Sequence, residues 1–426
     1  MNVCIKTYGC SLNQSDSEAI AGLLVESGHC IVEEENADVF IVNTCMVKGP
    51  TETKVLREIK RLDRLKKSIV VAGCLPQSKH GQEKLKKFSI VGPSQIGRII
   101  EAAEKTLNGG KVTFIDESQD TERVKYPVIS KNKVISIIPI NSGCLGACSF
   151  CIAKKARGNL VSYQKKDIIS QIKKSVFYGA REIWLTSPDT AVYGKDIGTN
   201  IVELLEEVTG LRGGFKVRLG MGNPDYILKN LKGLINVFKH EKMFKFLHVP
   251  VQSGNDKVLR EMLRPYSVSD FKKIVNLFRK EIPNITISTD IICGFPTETE
   301  EQFNDSLALV KEIKPDVLNI SRFWPRPNTR AAELNQLPGS VTKERSRRLS
   351  KLFEDISLEK NKKWVGWQGN IIIDELGKNN TFIGRNFAYK QVVIKGNFNL
   401  GDEISVKITD ATKNDLRAIM LDNLIL

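Results

Sequence analysis

Short apolar runs alternate with amphipathic stretches through the first hundred residues. Residues 2–8, 38–43 and 68–72 read as strands, while 14–27 and 53–67 carry apolar residues at helical three- and four-residue steps. That alternation predicts an α/β unit with an open parallel sheet over residues 1–110. A polar stretch over 109–133, with Gly109, Gly110 and a charged run, reads as a linker. Strands are then expected at 134–140, 182–186, 216–221, 244–249, 286–293 and 317–323, with helical spacing between them at 167–178, 201–208, 225–238, 269–280 and 300–313. Six strands joined by crossover helices predict a partial (β/α)6 barrel over 130–360, whose reactive face lies at the carboxyl ends of its strands. From residue 364 the texture changes to short strands without helices, which predicts a small β-barrel over 364–426.

Composition adds little to this picture except through charge. With 41% hydrophobic residues the chain has ordinary material for packed cores, and the expectation is a globular protein. The opening residues lack the basic-then-apolar pattern of a signal peptide, and no run approaches a membrane span, so a cytoplasmic location with no membrane partner is expected. The net charge is +15, and it is unevenly spread: residues 76–363 hold 48 of the 64 Lys and Arg against 32 of the 49 Asp and Glu. A polyanionic partner such as RNA is one reading; Lys-rich helices solvating their outer faces is the other. The basic positions Lys54, Arg57, Lys60, Arg61 and Arg64 recur at helical steps, and residues 343–363 hold Arg345, Arg347, Arg348 and Lys351. In the terminal barrel, residues 384–390 offer Arg385, Tyr389 and Lys390, two cations and an aromatic able to stack on a base, so an RNA contact is expected there.

The candidate chemistry lies in the 9 cysteines. Cys144, Cys148 and Cys151 stand in Asn-Ser-Gly-Cys-Leu-Gly-Ala-Cys-Ser-Phe-Cys directly after the first barrel strand. Their spacing supplies three thiolates to one iron-sulfur cube and leaves its fourth iron open to a ligand. A structural zinc site is the plain alternative, but zinc favours paired two-residue gaps, whereas here the first gap is three residues and no second pair follows. Upstream, Cys10, Cys45 and Cys74 each follow a strand-like run, and loops after the strands of an open α/β sheet gather along one edge. Spacing alone leaves both a second three-cysteine site and three buried cysteines open. Cys4, Cys30 and Cys293 have no partner in either set and read as packing residues.

The motif of Cys144, Cys148 and Cys151 on a six-strand partial barrel resembles the radical S-adenosylmethionine superfamily. Tyr-Gly-Cys-Ser-Leu-Asn-Gln-Ser-Asp-Ser-Glu at 8–18, Asn-Thr-Cys at 43–45 and Ala-Gly-Cys at 72–74 are similar to the cysteine motifs that open the methylthiotransferase family, and the terminal barrel is similar to its TRAM domain. Within that family the runs at 43–52, 183–187, 219–224 and 323–327 most resemble the archaeal and eukaryotic threonylcarbamoyladenosine branch.

The resemblance implies an enzyme with two 4Fe-4S clusters and S-adenosylmethionine that installs a methylthio group at C2 of a modified adenosine, position 37 in the anticodon loop of tRNA. It also implies an electron donor such as ferredoxin or flavodoxin, and a sulfur donor. Cys144, Cys148 and Cys151 would hold the cluster that binds S-adenosylmethionine, and Cys10, Cys45 and Cys74 the cluster that holds the sulfur. Phe150 is expected near the adenine of the cofactor, and Gly294, Phe295 and Pro296 after the fifth barrel strand are expected to approach it. Thr186, Ser187, Asp189, Arg218, His248 and Gln252, at or near strand ends, are expected to line the cavity. Pro188 stands where the family pattern has glutamine, and Asn328 where it usually has glycine. Alternatives are the same reaction on isopentenyladenosine in tRNA or on a ribosomal-protein aspartate, and an RNA-binding protein whose clusters are structural or redox-sensing.

Overall fold

The computed structural model describes residues 1–47, 49–116 and 120–421. Lys48 of the 43–52 run, residues 117–119 of the polar stretch and residues 422–426 of the last unit lie outside the described residues. Six parallel strands open the chain: β1 (Asn2–Thr7), β2 (Cys30–Ile31), β3 (Val39–Thr44), β4 (Ser68–Gly73), β5 (Ser89–Val91) and β6 (Thr113–Phe114), in the order β2-β1-β3-β4-β5-β6. β3 is buried at every position because helices cover both faces of the sheet. On one face the helix Ser11–Glu26 packs Ile20 and Leu24 against Val3, Val39 and Val70. On the other the helix Gly49–Arg64 packs Val55, Ile59 and Leu62 against Phe40, Val42 and Val71. This second helix follows the amphipathic rule, with Lys54, Arg57, Lys60, Arg61 and Arg64 exposed opposite its apolar stripe.

The helix Ser11–Glu26 does not follow it. Asn13, Ser15, Asp16, Ser17 and Glu18 are buried as fully as its apolar residues, because its second face is covered as well. Gly22 lies so close to the 127–128 backbone that a Cβ there would come within 2.1 Å of the Pro127 oxygen, and the Ile129 amide donates to the Glu18 carbonyl. The polar stretch is therefore not a loose linker. Thr113 and Phe114 extend the first sheet, Val124 enters the core of the second unit, and Arg123 is 4% exposed. Buried ion pairing, which hydropathy does not register, holds this strap down.

The second unit delivers six parallel strands: β7 (Ile135–Pro139), β10 (Glu182–Thr186), β11 (Lys216–Leu219), β12 (Phe246–His248), β13 (Thr286–Cys293) and β14 (Val317–Arg322). They form two runs, β7-β10-β11 and β12-β13-β14, joined by a bridge between Val217 and Met243. Between β7 and β10 a short antiparallel pair, β8 (Asn141–Ser142) with β9 (Val161–Ser162), closes the base of the cysteine loop. Ile183, Val217 and Leu247 pack outward under the helices, and their neighbours Trp184, Arg218 and Phe246 face the opposite way.

After the helix Gly339–Lys362, five strands close a barrel in the order β15-β16-β17-β19-β18: β15 (Gln368–Leu376), β16 (Thr381–Arg385), β17 (Gln391–Lys395), β18 (Glu403–Ala411) and β19 (Leu416–Met420). Its β16–β17 loop is turned inward against the second unit. The Lys245 amide donates to the Phe387 carbonyl, and the Tyr389 ring packs edge-on against Phe244, Phe246 and Trp184 under the guanidinium of Arg218. Arg385 is bound to Asp374, and Lys390, 7% exposed, donates to Asp316 and Asn361. The expectation that Arg385, Tyr389 and Lys390 offer a surface to RNA is thereby corrected: the ring and Lys390 are engaged in the joint between two units, and Arg385 is paired with Asp374 inside its own barrel. Among the described residues no helix is long and apolar enough to cross a membrane.

Asp316 sits at the centre of that joint, with Lys390 at 3.1 Å and Lys360 at 3.0 Å. Burial pushes its carboxyl up, but Lys390 and Lys360 pull harder and hold it below the ordinary carboxylate range. A depressed folded value stabilises above the unfolded pKa, and that stability is lost as pH falls through the folded value. Asp316→Asn should therefore cost about 3 kcal/mol at pH 7 in chemical denaturation. The gap to the wild type should close as the buffer is taken below the ordinary carboxylate range.

Candidate functional site

The loop carrying Cys144, Cys148 and Cys151 leaves β7 at its carboxyl end, pinched by the β8–β9 pair. Gly143 turns the chain at φ +66°, where a Cβ would come within 1.8 Å of the Asn159 oxygen, so only glycine fits this entry. Within the loop the Gly146 amide donates to Cys144 Sγ at 3.2 Å, and a Cβ on Gly146 would sit 3.3 Å from that sulfur and 3.6 Å from Cys148 Sγ. Ser149 fixes the far side by donating from its amide and hydroxyl to the carbonyls of Met262 and Glu261. Arg264 is 7% exposed; it donates from Nη1 to Cys148 Sγ at 3.0 Å and is itself held by Tyr266 Oη and Asn223 Oδ1. Asn223 is held in turn by Asp189, which accepts its amide and side-chain N–H groups. Burial pushes the Asp189 carboxyl up to about 6 against those hydrogen bonds. The Cys144 thiol is pushed up to about 12 by burial and by Asp189.

The upstream cysteines meet at the same edge of the first sheet. Cys10 precedes the helix Ser11–Glu26, and Cys45 and Cys74 directly follow β3 and β4. At Gly9 a Cβ would lie 2.8 Å from that of Cys45. Asn13, one turn into the helix, is the hub: its Oδ1 lies 3.7 Å from Cys10 Sγ and 3.8 Å from Cys74 Sγ. Its Nδ2 donates to the carbonyls of Tyr8 and Thr44, so the amide cannot turn away. The Val47 amide donates to Cys45 Sγ at 3.4 Å. Burial pushes the Cys74 thiol up to about 12, with the Arg157 guanidinium opposing.

A cavity of about 990 Å³ opens beside the cysteine loop, with residues of the first unit on its other wall. Cys144, Cys148 and Cys151 line it directly, while the upstream trio is represented by its neighbours Leu12, Asp16 and Met46. Phe150, Pro188 and Gln252 also line it. Thr186 reaches the first unit, its hydroxyl 2.8 Å from that of Ser11. Pro188 does not dislodge its neighbours: the Asp189 amide still donates to Ser187 Oγ, and Asp189 stays in the buried chain to Asn223. His248 pairs with Asp290 at 3.1 Å. Gly294, Phe295 and Pro296, expected to approach the cofactor, directly follow β13. All three are buried away from the described lining of the cavity: Gly294 against Thr342, where a Cβ would fall 2.3 Å from Cγ2, and Phe295 edge-on to Phe323. Cys4 and Cys293 are buried as expected of packing residues, but Cys30 is exposed on edge strand β2.

Asn13, Asp16, Arg157, Arg264 and the pair Glu52–Arg326 were not expected at the site. Arg326 spans the two units, donating to the Val47 carbonyl and to Glu52 at 2.8 Å. A signal for Asn13 and Asp16 was present in their spacing, three and six residues past Cys10 on one helix. Arg157 follows two lysines and an alanine in a run that reads as solvated.

The donor chemistry of both trios fits an iron-sulfur cube with one open iron: three soft thiols each, backbone N–H groups aimed at sulfur, and a roomy cavity alongside. Among the described residues no three His, Cys, Asp or Glu side chains converge closely enough for a single ion. A bare thiolate is disfavoured at Cys74 and Cys144, and iron would supply the compensating positive charge.

All three units of the chain resemble known proteins. Residues 2–92 match the uncharacterized protein family UPF0004, residues 138–310 the radical SAM superfamily, and residues 363–421 the TRAM domain. The chain is 42% identical over 93% of its length to a protein of Pyrococcus horikoshii named a probable threonylcarbamoyladenosine tRNA methylthiotransferase, covering 95% of that protein. It is 41% identical over 97% of its length to the human threonylcarbamoyladenosine tRNA methylthiotransferase, covering 73% of that protein. Among solved structures, the radical S-adenosylmethionine methyltransferase TsrM of Kitasatospora setae shares the fold with a TM-score of 0.56 at 13% identity, over 78% of this chain and 76% of that one.

Exposure and burial separate the thiols in the metal-free chain. Cys10 and Cys30 are exposed, whereas Cys74 is 4% exposed and burial pushes its thiol up to about 12, which leaves little thiolate at pH 8. Iodoacetamide at pH 8 should label Cys10 and Cys30 at least about tenfold faster than Cys74, read by peptide mass spectrometry. After reconstitution with iron and sulfide, Cys10 should become protected while Cys30 stays reactive.

Proposed function

We propose, from the premise that this chain belongs to the threonylcarbamoyladenosine tRNA methylthiotransferase family, that its two cysteine trios divide one reaction between them. That reaction is methylthiolation of C2 of N6-threonylcarbamoyladenosine at position 37 of tRNA. Three units carry it, with limits read as 1–110, 130–360 and 364–426. The observation that carries the proposal is that one cavity is lined by Cys144, Cys148 and Cys151 of the loop after β7 and by Leu12, Asp16 and Met46, chain neighbours of the upstream cysteines that follow β3 and β4 or precede the helix Ser11–Glu26.

Cys144, Cys148 and Cys151 would hold the cube that faces S-adenosylmethionine, and Cys10, Cys45 and Cys74 the cube that presents the sulfur. When bound, the pair supplies one-electron cleavage of S-adenosylmethionine and transfer of a sulfur atom to carbon, chemistry that an aryl C–H with no acidic proton requires. The residues of the chain do the rest. Arg264 and the Gly146 amide orient the first set and place positive charge and dipoles on its sulfurs. Asn13, itself held by the Tyr8 and Thr44 carbonyls, stands beside Cys10 and Cys74 of the second set. Phe150 offers an apolar wall for the cofactor's adenine. Ferredoxin or flavodoxin would deliver the electrons, and a separate sulfur donor would replenish the second site. A cytoplasmic setting would keep the cysteines reduced and available to iron.

Two experiments test the reading. In tRNA nucleosides from a strain lacking the gene, the 2-methylthio form of N6-threonylcarbamoyladenosine should fall to background, and wild type should restore it while Cys144→Ala and Cys74→Ala do not. Persistence of the product in the deletion strain would overturn the proposal. Binding of tRNA should also weaken by about tenfold or more between 50 and 200 mM salt if phosphates are tracked by exposed Lys and Arg.

A further inference from the structure

The loop that carries Cys144, Cys148 and Cys151 runs into the short helix Ala153–Arg157. Its last residue, Arg157, has a side chain 7% exposed that leaves the second unit and enters the first. Nη2 donates to Asn13 Oδ1 at 3.0 Å and pairs with Asp16 Oδ2. Asn13 Oδ1 is the same atom that faces the sulfurs of Cys10 and Cys74. One amide oxygen is thus shared between a guanidinium anchored next to one trio and two thiols of the other.

A role as a staple between units accounts for the bond to Asp16 and leaves the bond to Asn13 unexplained. Asp16 is also shared. Arg123, from the strap, reaches it at 3.2 Å, so two guanidiniums stand against one carboxylate. The second nearby acid, Asp120, faces Arg123, and burial pushes its carboxyl up. Arg157 therefore keeps its positive end toward the cysteines, and a guanidinium does not lose its proton in a protein.

We propose that Arg157 is a positioning residue that brings a fixed positive charge from the Cys144–Cys148–Cys151 loop to the Cys10–Cys45–Cys74 site and sets how readily the group held there takes on negative charge. The proposal rests on the reading of that trio as a cluster site. A cube on three thiolates is anionic and becomes more so with each added electron or bound sulfide. A buried cation beside it favours the more negative form, and low dielectric strengthens the effect. Removing the charge therefore lowers the reduction potential.

The test uses the full-length chain with Cys144→Ala, Cys148→Ala and Cys151→Ala, so that only the upstream site is loaded after anaerobic reconstitution. Iron content is measured first. A dithionite-poised titration, one electron per cluster and followed by electron paramagnetic resonance, is then run with Arg157 intact, with Arg157→Gln and with Arg157→Lys. The expected result is equal iron content, a reduction equilibrium at least about tenfold less favourable in Arg157→Gln, equivalent to about 59 mV, and a value within about threefold of the parent in Arg157→Lys. If Arg157→Gln takes up no iron while Arg157→Lys does, the charge is needed for assembly, which also supports the proposal. An unchanged potential in Arg157→Gln overturns it, as does an equal loss in Arg157→Lys. No iron in the parent with Arg157 intact would overturn the cluster reading of the upstream trio, and this proposal with it.

Discussion

The buried carboxylate of Asp16 ties the helix behind Cys10 to the loop of the other cysteine set, alongside the Arg326–Glu52 and Ser11–Thr186 contacts. It is 1% exposed, lies on the helix that begins beside Cys10, and accepts from Arg157 of the barrel loop and Arg123 of the strap. Three segments far apart in sequence therefore converge on two oxygen atoms. Removing one partner from such a buried arrangement typically costs several kcal/mol, because a charge is left in a medium that cannot solvate it. An apolar contact of the same area could hold the units together as firmly, but it would tolerate sliding. Directional bonds at both oxygens do not, and a reaction passing between two sites needs their distance fixed.

The same logic recurs on the barrel side. Asp189, Asn223, Arg264 and Cys148 form a chain of hydrogen bonds running from the end of β10 through the loop after β11 to the cysteine loop. Each trio thus has one buried arginine behind it, and each arginine is oriented by an asparagine that other groups hold. At the other end of the strands the β16–β17 loop closes the second unit with Tyr389. The closed barrel is therefore joined to the radical SAM unit by aromatic packing and the Asp316 ion pairs, and any RNA contact it makes must come from another of its faces.

How much of this could be read from sequence depends on what burial does to a pattern. Elements with one buried face declared themselves. The helix Gly49–Arg64 has a clean apolar stripe, and the six barrel strands fell within a residue or two of their expected limits. The helix Ser11–Glu26 is buried on two sides, so its polar residues are interior and its periodicity is weak. Arg123 and Arg157 were hidden for a related reason. A charged residue in a polar run looks solvated, and only the fold reveals that Asp16 is within reach. The loop at 384–390 failed in the opposite direction, since its aromatic and cations suit a joint between units as well as they suit a nucleotide. The cysteines themselves were legible because strand ends gather at one edge whatever the details of packing.

Burial of cations also bears on where RNA could be met. Arg123 and Arg157 share Asp16, Arg326 has Glu52, Arg345 has Glu298, and Lys390 has Asp316. These interior cations are largely matched by acids, so they contribute little to the excess of 64 Lys and Arg over 49 Asp and Glu. Arg345 shows the distinction within one helix: it turns inward to Glu298, while its neighbours Lys343 and Arg347 are exposed. The excess in residues 76–363 must then be largely a property of the surface, available to phosphates. Residues 76–363 include the whole unit that carries the cysteine loop, so charge steering a polyanion would draw it toward the unit that bears that loop.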